Sequence, residues 1–280
     1  MKLLVVGSLH LDVAVRAPHF PELDETVTGE SVDYVFGGKG GNQAVAASRI
    51  GADVGFAGRI GGDAFGARLE AGLRDAHVDI AQLQKDDGAS GMSAAIVDAN
   101  GDYGAVIVSA ANLRIDGDAI DIPSETGLVL LQNEVPEAAN LTIAGKARAA
   151  GARVWLNAAP ARDLSDDLVE LLDLLIVNRV EAAQYPALPM TLPVLETLGA
   201  DGVRFEGRTF PGYAVEVVST HGAGDMFVGA LAACVLNGAP MVDAIGFAQG
   251  AAALFVSSQR DERKNLRASD VNAFLANKCG

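Results

Sequence analysis

GLVLLQNEVPEAANLTIAGKARAAGARVWLN, residues 127–157, carries the pattern that decides the fold. Gly127 to Leu131 is a continuous apolar run rather than an alternating one, as expected of a strand covered on both faces. A turn follows, then a helical pattern over Pro136 to Ala150, then a second strand-like run at Arg153 to Asn157. A buried strand, a helix and another buried strand make one unit of a parallel sheet.

The unit recurs in both directions. Lys2 to Val6, Asp53 to Ala57 and Leu174 to Asn178 read as further buried strands. Asn42 to Ile50, Phe65 to Ala76 and Leu164 to Leu172 read as helices. The fold class is therefore α/β, a doubly wound and mostly parallel sheet, with residues 1–280 as a single domain. Two stretches interrupt the rhythm. Asp12 to Val35 reads as short extended pieces, and Ala94 to Val108 as two strands around the hairpin dipeptide Asn100-Gly101. Lid segments are accordingly placed at about 12–35 and 94–108, forming a small sheet over a pocket. A further hairpin is expected near Gly207, before Thr209 to Val218.

Composition narrows the function classes. The 280 residues are half apolar, contain 32 glycines and carry a net charge of −15, which opposes a nucleic-acid surface. The run Arg260-Asp261-Glu262-Arg263-Lys264 is mixed in sign and reads as a solvated turn. Cys234 lies in an apolar helical run and reads as a small buried residue; Cys279 reads as an unpaired terminal thiol. No Cys or His spacing suggests zinc. The opening MKLLVVGSLHLD lacks the core length of a signal peptide, and no apolar run approaches a membrane span, so a cytoplasmic setting is expected.

Two glycine stretches carry the chemistry. Phe36-Gly37-Gly38-Lys39-Gly40-Gly41-Asn42-Gln43 leads into a helix at Ala44. It is not a P-loop, because Lys39 is followed by Gly40 and no Ser or Thr holds the next place. Nor does Gly7-Ser8-Leu9-His10 give a dinucleotide fingerprint after the first strand. What remains is backbone that a ligand can approach closely, with a point charge at Lys39 and a donor and acceptor at Asn42. These groups suit a polyhydroxylated molecule; the plainer alternative is a packing turn.

The second stretch is Gly222-Ala223-Gly224-Asp225, where a glycine turn becomes a helix. Unpaired N–H groups and the positive end of the dipole make such a start an anion site. An acid there repels a bound anion unless it has another task, and accepting a proton from an attacking hydroxyl is one. Hydroxyl activation beside a phosphoryl group follows.

With both stretches in view, the chain resembles the ribokinase-like sugar kinases, the phosphofructokinase-B family, over nearly its whole length. FGGKGGNQAVAASRIGADVGFAGRIGGDAFG resembles that family's first signature and HGAGDMFVGAL its second; NAAPARDL and FPELDETVTGE resemble ribokinases in particular. The resemblance implies Asp225 as the catalytic base, with Gly222, Ala223 and Gly224 as the anion hole. It implies sugar binding by Asp12, Gly38, Lys39, Asn42 and Glu134, with His10 beside them. Asn178 and Glu181 would lie near the phosphates, Glu181 holding Mg²⁺ through water, and Thr197, Gly199 and Gly202 would form the nucleotide loop. ATP and Mg²⁺ are the implied cosubstrate and metal, with a homodimer formed through the lid.

Four departures qualify the resemblance. His10 replaces the usual Asn at the sugar, which alters the hydrogen-bonding reach and leaves the sugar's identity open. Ser219 replaces an Asp that helps hold a monovalent cation in ribokinases, and Ser257-Ser258-Gln259-Arg260 lacks the usual glycine loop. Potassium activation is accordingly expected to be weak. Fifteen residues separate Glu181 from Thr197, shorter than the family's usual span, with Pro186, Pro189 and Pro193 opposing a regular helix. The leading expectation is ATP-dependent phosphorylation of a hydroxymethyl group on D-ribose or a related pentose. The alternatives are a nucleoside kinase of the same family and a sugar-binding protein that has lost catalysis.

Overall fold

Alternate residues of the first strand feed two different cores. In β1 (Lys2–Val6) Leu3 and Val5 join one apolar cluster, while Leu4 and Val6 join the other. The computed structural model describes residues 1–186 and 188–278, so Cys279 lies outside the described residues. In chain order β1 is followed by β2 (His10–Arg16), β3 (Ser31–Gly37), α1 (Lys39–Arg49), β4 (Val54–Gly61), α2 (Ala64–Asp75), β5 (Asp79–Asp86), β6 (Met92–Val97) and β7 (Tyr103–Val108). Then come β8 (Thr126–Gln132), α3 (Glu137–Ala149), β9 (Arg153–Asn157), α4 (Asp166–Glu170), β10 (Leu174–Asn178), α5 (Arg179–Ala182) and β11 (Val194–Thr197). The chain ends with β12 (Val203–Phe205), β13 (Arg208–Phe210), α6 (Ala223–Leu236), α7 (Met241–Ser257), α8 (Arg260–Arg263) and α9 (Ala268–Lys278).

Among the described residues the larger sheet has the order β13-β12-β11-β10-β9-β8-β1-β4-β5, parallel except at β12 and β13. Helices α1, α2, α6, α7 and α9 cover one face, and α3 and α4 cover the other. This is the doubly wound α/β sheet expected from the apolar runs. Leu128 and Leu130 face one core, Val129 and Leu131 the other, and all four are fully buried. A strand buried on both faces has no polar side to write into its sequence.

The smaller sheet has the order β3-β2-β6-β7. Strand β2 pairs with β3 antiparallel without a break from His10↔Gly37 to Arg16↔Ser31, and β6 and β7 pair antiparallel. Gly101 adopts a left-handed φ of 88° in the turn between β6 and β7, and Glu206 and Gly207, at 47° and 73°, turn β12 into β13. Positive φ at both central residues matches the twist of a two-residue hairpin. The hairpin expected near Gly207 is present as β12 and β13, and residues 211–218 after it form no strand. The helix expected over Leu164 to Leu172 shortens to α4, whose start is fixed by Leu168 N–H donating to Ser165 Oγ at 3.3 Å. Helix α1 begins three residues earlier than Asn42, inside the glycine stretch.

Cys234 is half-buried in α6, and burial pushes its thiol up to about 11, an inert packing residue. No described helix is long and apolar enough to cross a membrane.

Candidate active site

The order of the large sheet reverses at β1, which has β8 on one side and β4 on the other. Crevices at such reversals open at the carboxyl ends of the strands. Here Ser8, just past β1, donates its hydroxyl to Glu134 Oε2, just past β8. The same oxygen accepts the Lys39 N–H at 2.8 Å, so Glu134 ties the first turn of α1 to the switch point. A cleft of about 880 Å³ opens above, between the strand ends and the small sheet.

Gly38 is the residue that lets the chain turn from β3 into α1. Its φ is 89°, and a Cβ there would lie 2.7 Å from Leu9 Cα and 2.8 Å from His10 N. Both conformation and space demand glycine. Lys39 and Asn42 then face the cleft from the first turn of α1.

Asp225 stands in the first turn of α6, half-buried, lining the same cleft. Its Oδ2 accepts from Asn42 Nδ2 at 3.0 Å and its Oδ1 from Gln43 Nε2 at 3.0 Å. Gln43 Nε2 also donates to Asn157 Oδ1 at 2.9 Å, and Asn157 Nδ2 to the Ile176 carbonyl at 3.2 Å. Burial lifts the Asp225 carboxyl above its ordinary range; the Lys39 charge and the two amide hydrogen bonds pull it back, and Glu134 pushes it up. Both oxygens are held, which fixes the direction of the free lone pairs.

The turn before α6 bears on the anion-hole expectation. Gly222 opens the helix in the left-handed region, at φ 81°. The Ala223 N–H donates to Thr220 O at 3.1 Å, and the His221 N–H to Ser219 Oγ at 3.3 Å. Among the described residues the N–H groups of Gly222, Gly224 and Asp225 have no acceptor. Gly222 and Gly224 line the cleft, while the N–H of Ala223 is committed to its own turn.

On the small-sheet side, Asp12 lines the cleft with Oδ1 accepting from Ser93 Oγ at 2.5 Å. His10 is buried, with Nδ1 3.8 Å from Glu134 Oε2. Asn112 fixes its tautomer. The Asn112 amide is clamped to Leu9 by Oδ1 accepting the Leu9 N–H at 2.9 Å and Nδ2 donating to Leu9 O at 2.8 Å. The atom 3.2 Å from His10 Nε2 is therefore the donor Nδ2, so neutral His10 accepts at Nε2 and carries its proton on Nδ1, toward Glu134 and the cleft.

At the far end Asn178 and Glu181 make a reciprocal capping box on α5: Asn178 Oδ1 accepts from Val180 N and Glu181 N at 2.9 Å, and Glu181 Oε2 accepts from Asn178 N at 2.8 Å. Both residues line the cleft, as does Thr197 at the end of β11. Burial raises the Glu181 carboxyl, and the charge of Lys39 counters it. Gly199 and Gly202 lie beyond the cleft wall; Gly202 holds a φ of 102° where a Cβ would strike Phe210 O. The short segment after α5 is anchored by Tyr185, whose hydroxyl donates to Arg162 O at 2.8 Å.

Among the described residues no three His, Cys, Asp or Glu side chains cluster as a cation cage. A site with a single buried carboxylate fits Mg²⁺ brought with phosphates, which keeps its waters and takes one or two protein oxygens. Sequence reasoning missed Ser8, Gln43, Asn112 and Asn157. Gln43 adjoins Asn42 in the quoted motif, and Asn157 ends a parallel strand, where ligand groups gather.

The chain matches the pfkB family carbohydrate kinase model over residues 1–265. It is 33% identical over 270 residues to the ribokinase of Bacillus subtilis, covering 91% of this chain and 92% of that one. It is 30% identical over 283 residues to the ribokinase of Haemophilus influenzae, covering 92% of each. Its fold superimposes on ribokinase from Thermotoga maritima with a TM-score of 0.88 at 27% identity, covering 98% of this chain and 99% of that one. It also superimposes on Arabidopsis thaliana ribokinase complexed with ribose and ATP, with a TM-score of 0.89 at 26% identity and 98% coverage of both. The protein belongs to the pfkB family of carbohydrate kinases. It is a ribokinase-like enzyme that phosphorylates a carbohydrate.

Proposed function

We propose that the protein transfers the γ-phosphoryl group of ATP to a hydroxymethyl group of D-ribose or a related pentose. One observation carries the reading. The Asp225 carboxylate is held by two amides at a helix start whose free N–H groups belong to residues lining the same cleft, between a polar pocket and the Asn178–Glu181 box. The sugar sits among His10, Asp12, Gly38, Lys39, Asn42 and Glu134, under the small sheet acting as a lid. Its hydroxyl proton passes to Asp225 while the sugar oxygen forms a bond to the γ-phosphorus. The bond from that phosphorus to the β–γ bridging oxygen breaks and ADP leaves. Free N–H groups of Gly222, Gly224 and Asp225, with the positive helix end, stabilise the charge on the migrating group. Asn178, Glu181 and Thr197 would face the nucleotide, and Glu181 would hold Mg²⁺ through water. Mg²⁺, when bound, would neutralise phosphate charge; positioning by the residues above supplies the rest.

His10 offers a donor on Nδ1 where Glu134 offers an acceptor, so a sugar hydroxyl bridging them accepts from one and donates to the other. The test is a phosphorylation screen with ATP and Mg²⁺ over pentoses, hexoses, sugar acids and nucleosides, with Asp225→Asn as the control. A pentose should rank first. A nucleoside ranking first, or no transfer to any pentose, removes the proposal.

A further inference from the structure

Arg263 occupies a place its sequence context does not announce. It lies in the mixed-charge run that reads as a solvated turn, yet it is half-buried at the end of α8. Among the described residues its guanidinium bonds to no carboxylate. Instead Nε donates to Ser258 O at 3.0 Å, and Nη2 donates to Ser219 O at 3.0 Å and Val256 O at 3.4 Å. Its Cζ lies 4.8 Å from the ring centroid of Phe255.

Two chain segments meet on this one charge. Val256 and Ser258 belong to the last turn and cap of α7, where helix carbonyls go unpaired and the dipole is negative. Ser219 belongs to the segment that leads into α6. Its N–H and that of Val218 both donate to Val256 O, at 3.2 and 2.8 Å. Three residues later stands Gly222, and a Cβ there would be 3.3 Å from the Phe255 ring. Guanidinium, ring and helix start therefore stack in series behind the cleft. The segment 211–220 has no helix or strand to hold it otherwise. A group of main-chain carbonyls is also the chemistry that takes a free monovalent cation. A guanidinium among them supplies the charge on a tether and cannot dissociate.

We infer that Arg263 is a positioning residue, a tethered cation that fixes residues 218–222, and with them the N–H groups at the start of α6, so that turnover needs no added monovalent cation. The inference rests on the reading of that helix start as the phosphoryl site. If Arg263 served α7 alone, the bond to Ser219 O would be incidental and the turn would keep its shape without it.

The experiment uses the full chain as wild type, Arg263→Gln and Arg263→Lys, with hydrogen exchange and steady-state kinetics at constant ionic strength. Wild-type turnover should agree within about twofold in potassium, sodium and choline chloride. In Arg263→Gln, exchange over 218–224 should rise about tenfold or more, with β8 and β9 unchanged. Its kcat should fall about tenfold while the sugar KM stays within about twofold. Millimolar guanidinium should restore part of both effects, and Arg263→Lys should lie between. Unchanged exchange over 218–224, several-fold activation of wild type by potassium, or loss of protection throughout the chain without rescue would each overturn the inference. Exchange needs no turnover. A wild type that phosphorylated no sugar would thus count against the proposed function, while the exchange data would still decide the role of Arg263.

Discussion

At the start of α6 the needs of chemistry and of stability oppose each other. The proposed role of Asp225 needs an ionised carboxylate, yet burial holds its carboxyl above the ordinary value of about 3.9. An acid whose pKa is raised on folding favours the folded state below the unfolded pKa, and that contribution is lost as pH rises through the folded pKa. Replacing the charge by a neutral isostere should therefore stabilise the protein at neutral and alkaline pH. Asp225→Asn should raise Tm by about 3 °C at pH 8. The difference should close as pH falls toward the ordinary carboxylate range, and a melting series over pH 4–8 checks it. The same variant should lose about a thousandfold or more in kcat while retaining sugar binding by calorimetry. The acid limb of the wild-type kcat profile should lie above the ordinary carboxylate range. The place of Asp225 in the first turn of a helix was legible in the sequence, because Gly222-Ala223-Gly224 marks the turn and the apolar run after it marks the helix. Gln43 and Asn157 were not, because a neutral amide gives no signal until the fold shows what it touches.

His10 illustrates the same limit. The sequence marks it as a departure, but only Asn112, about a hundred residues away in the chain, determines which ring nitrogen carries the proton. Asn112→Leu frees the ring to take either tautomer. The sugar KM should rise about tenfold with kcat at saturation within about threefold, since Asn112 lies outside the reacting groups. Initial rates against sugar concentration measure it, and an unchanged KM would show that the tautomer does not matter to binding.

Among the elements, the strands buried on both faces and the two hairpins were legible, whereas β5 and β11 were not. β5 alternates polar and apolar residues at the sheet edge, and β11 is masked by the prolines that precede it. Their placement comes from contacts distant in sequence. Asp86, at the end of β5, accepts from Arg59 of β4 at 3.1 Å and from Arg114 of the turn at 110–114 at 2.8 Å, and also from the Gly88 N–H at 2.7 Å. These donors, Arg114 foremost, hold its carboxyl down at about 2. A depressed carboxylate stabilises the fold above its unfolded pKa and loses that contribution as pH falls through the folded value. Asp86→Asn should lower Tm by about 3 °C at pH 6–8, and the gap to wild type should shrink to nothing near pH 2. Helix packing sets the geometry around Asp225 in a similar way. A Cβ on Gly229 of α6 would fall 2.6 Å from Gln43 O and 2.7 Å from Ala46 Cβ of α1, so Gly229→Ala should cost about 1–3 kcal/mol in denaturant melts. It should lower kcat as well, because α1 carries both amides that orient Asp225.

At the scale of the whole molecule, four crossings join the small sheet to the large one, at residues 7–9, 38, 87–91 and 109. The two sheets share no ladder, so besides these crossings the contacts of side chains fix the height of the small sheet over the cleft. Its cleft face carries Asp12, Ser93, Tyr103 and Ile107. On the opposite face Tyr34 lies against Phe65 of α2, with ring centroids 6.4 Å apart, and under the Arg68 guanidinium. That support ends before β7, an edge strand on which Val106 and Val108 are 67% and 49% exposed. Apolar side chains along an open edge are a standing invitation to another strand or sheet. A symmetric partner bringing the same surface would cover both edges at once. The protein should therefore sediment as a dimer at micromolar concentration, and Val106→Lys with Val108→Lys should sediment as a monomer. A monomer's small sheet keeps only the contacts of its own chain and of the proposed sugar, so the double variant's sugar KM should rise about tenfold while kcat at saturation changes less than about threefold. Sedimentation of wild type as a monomer, or a monomeric variant with an unchanged KM, would show that the small sheet keeps its place over the cleft without a second copy.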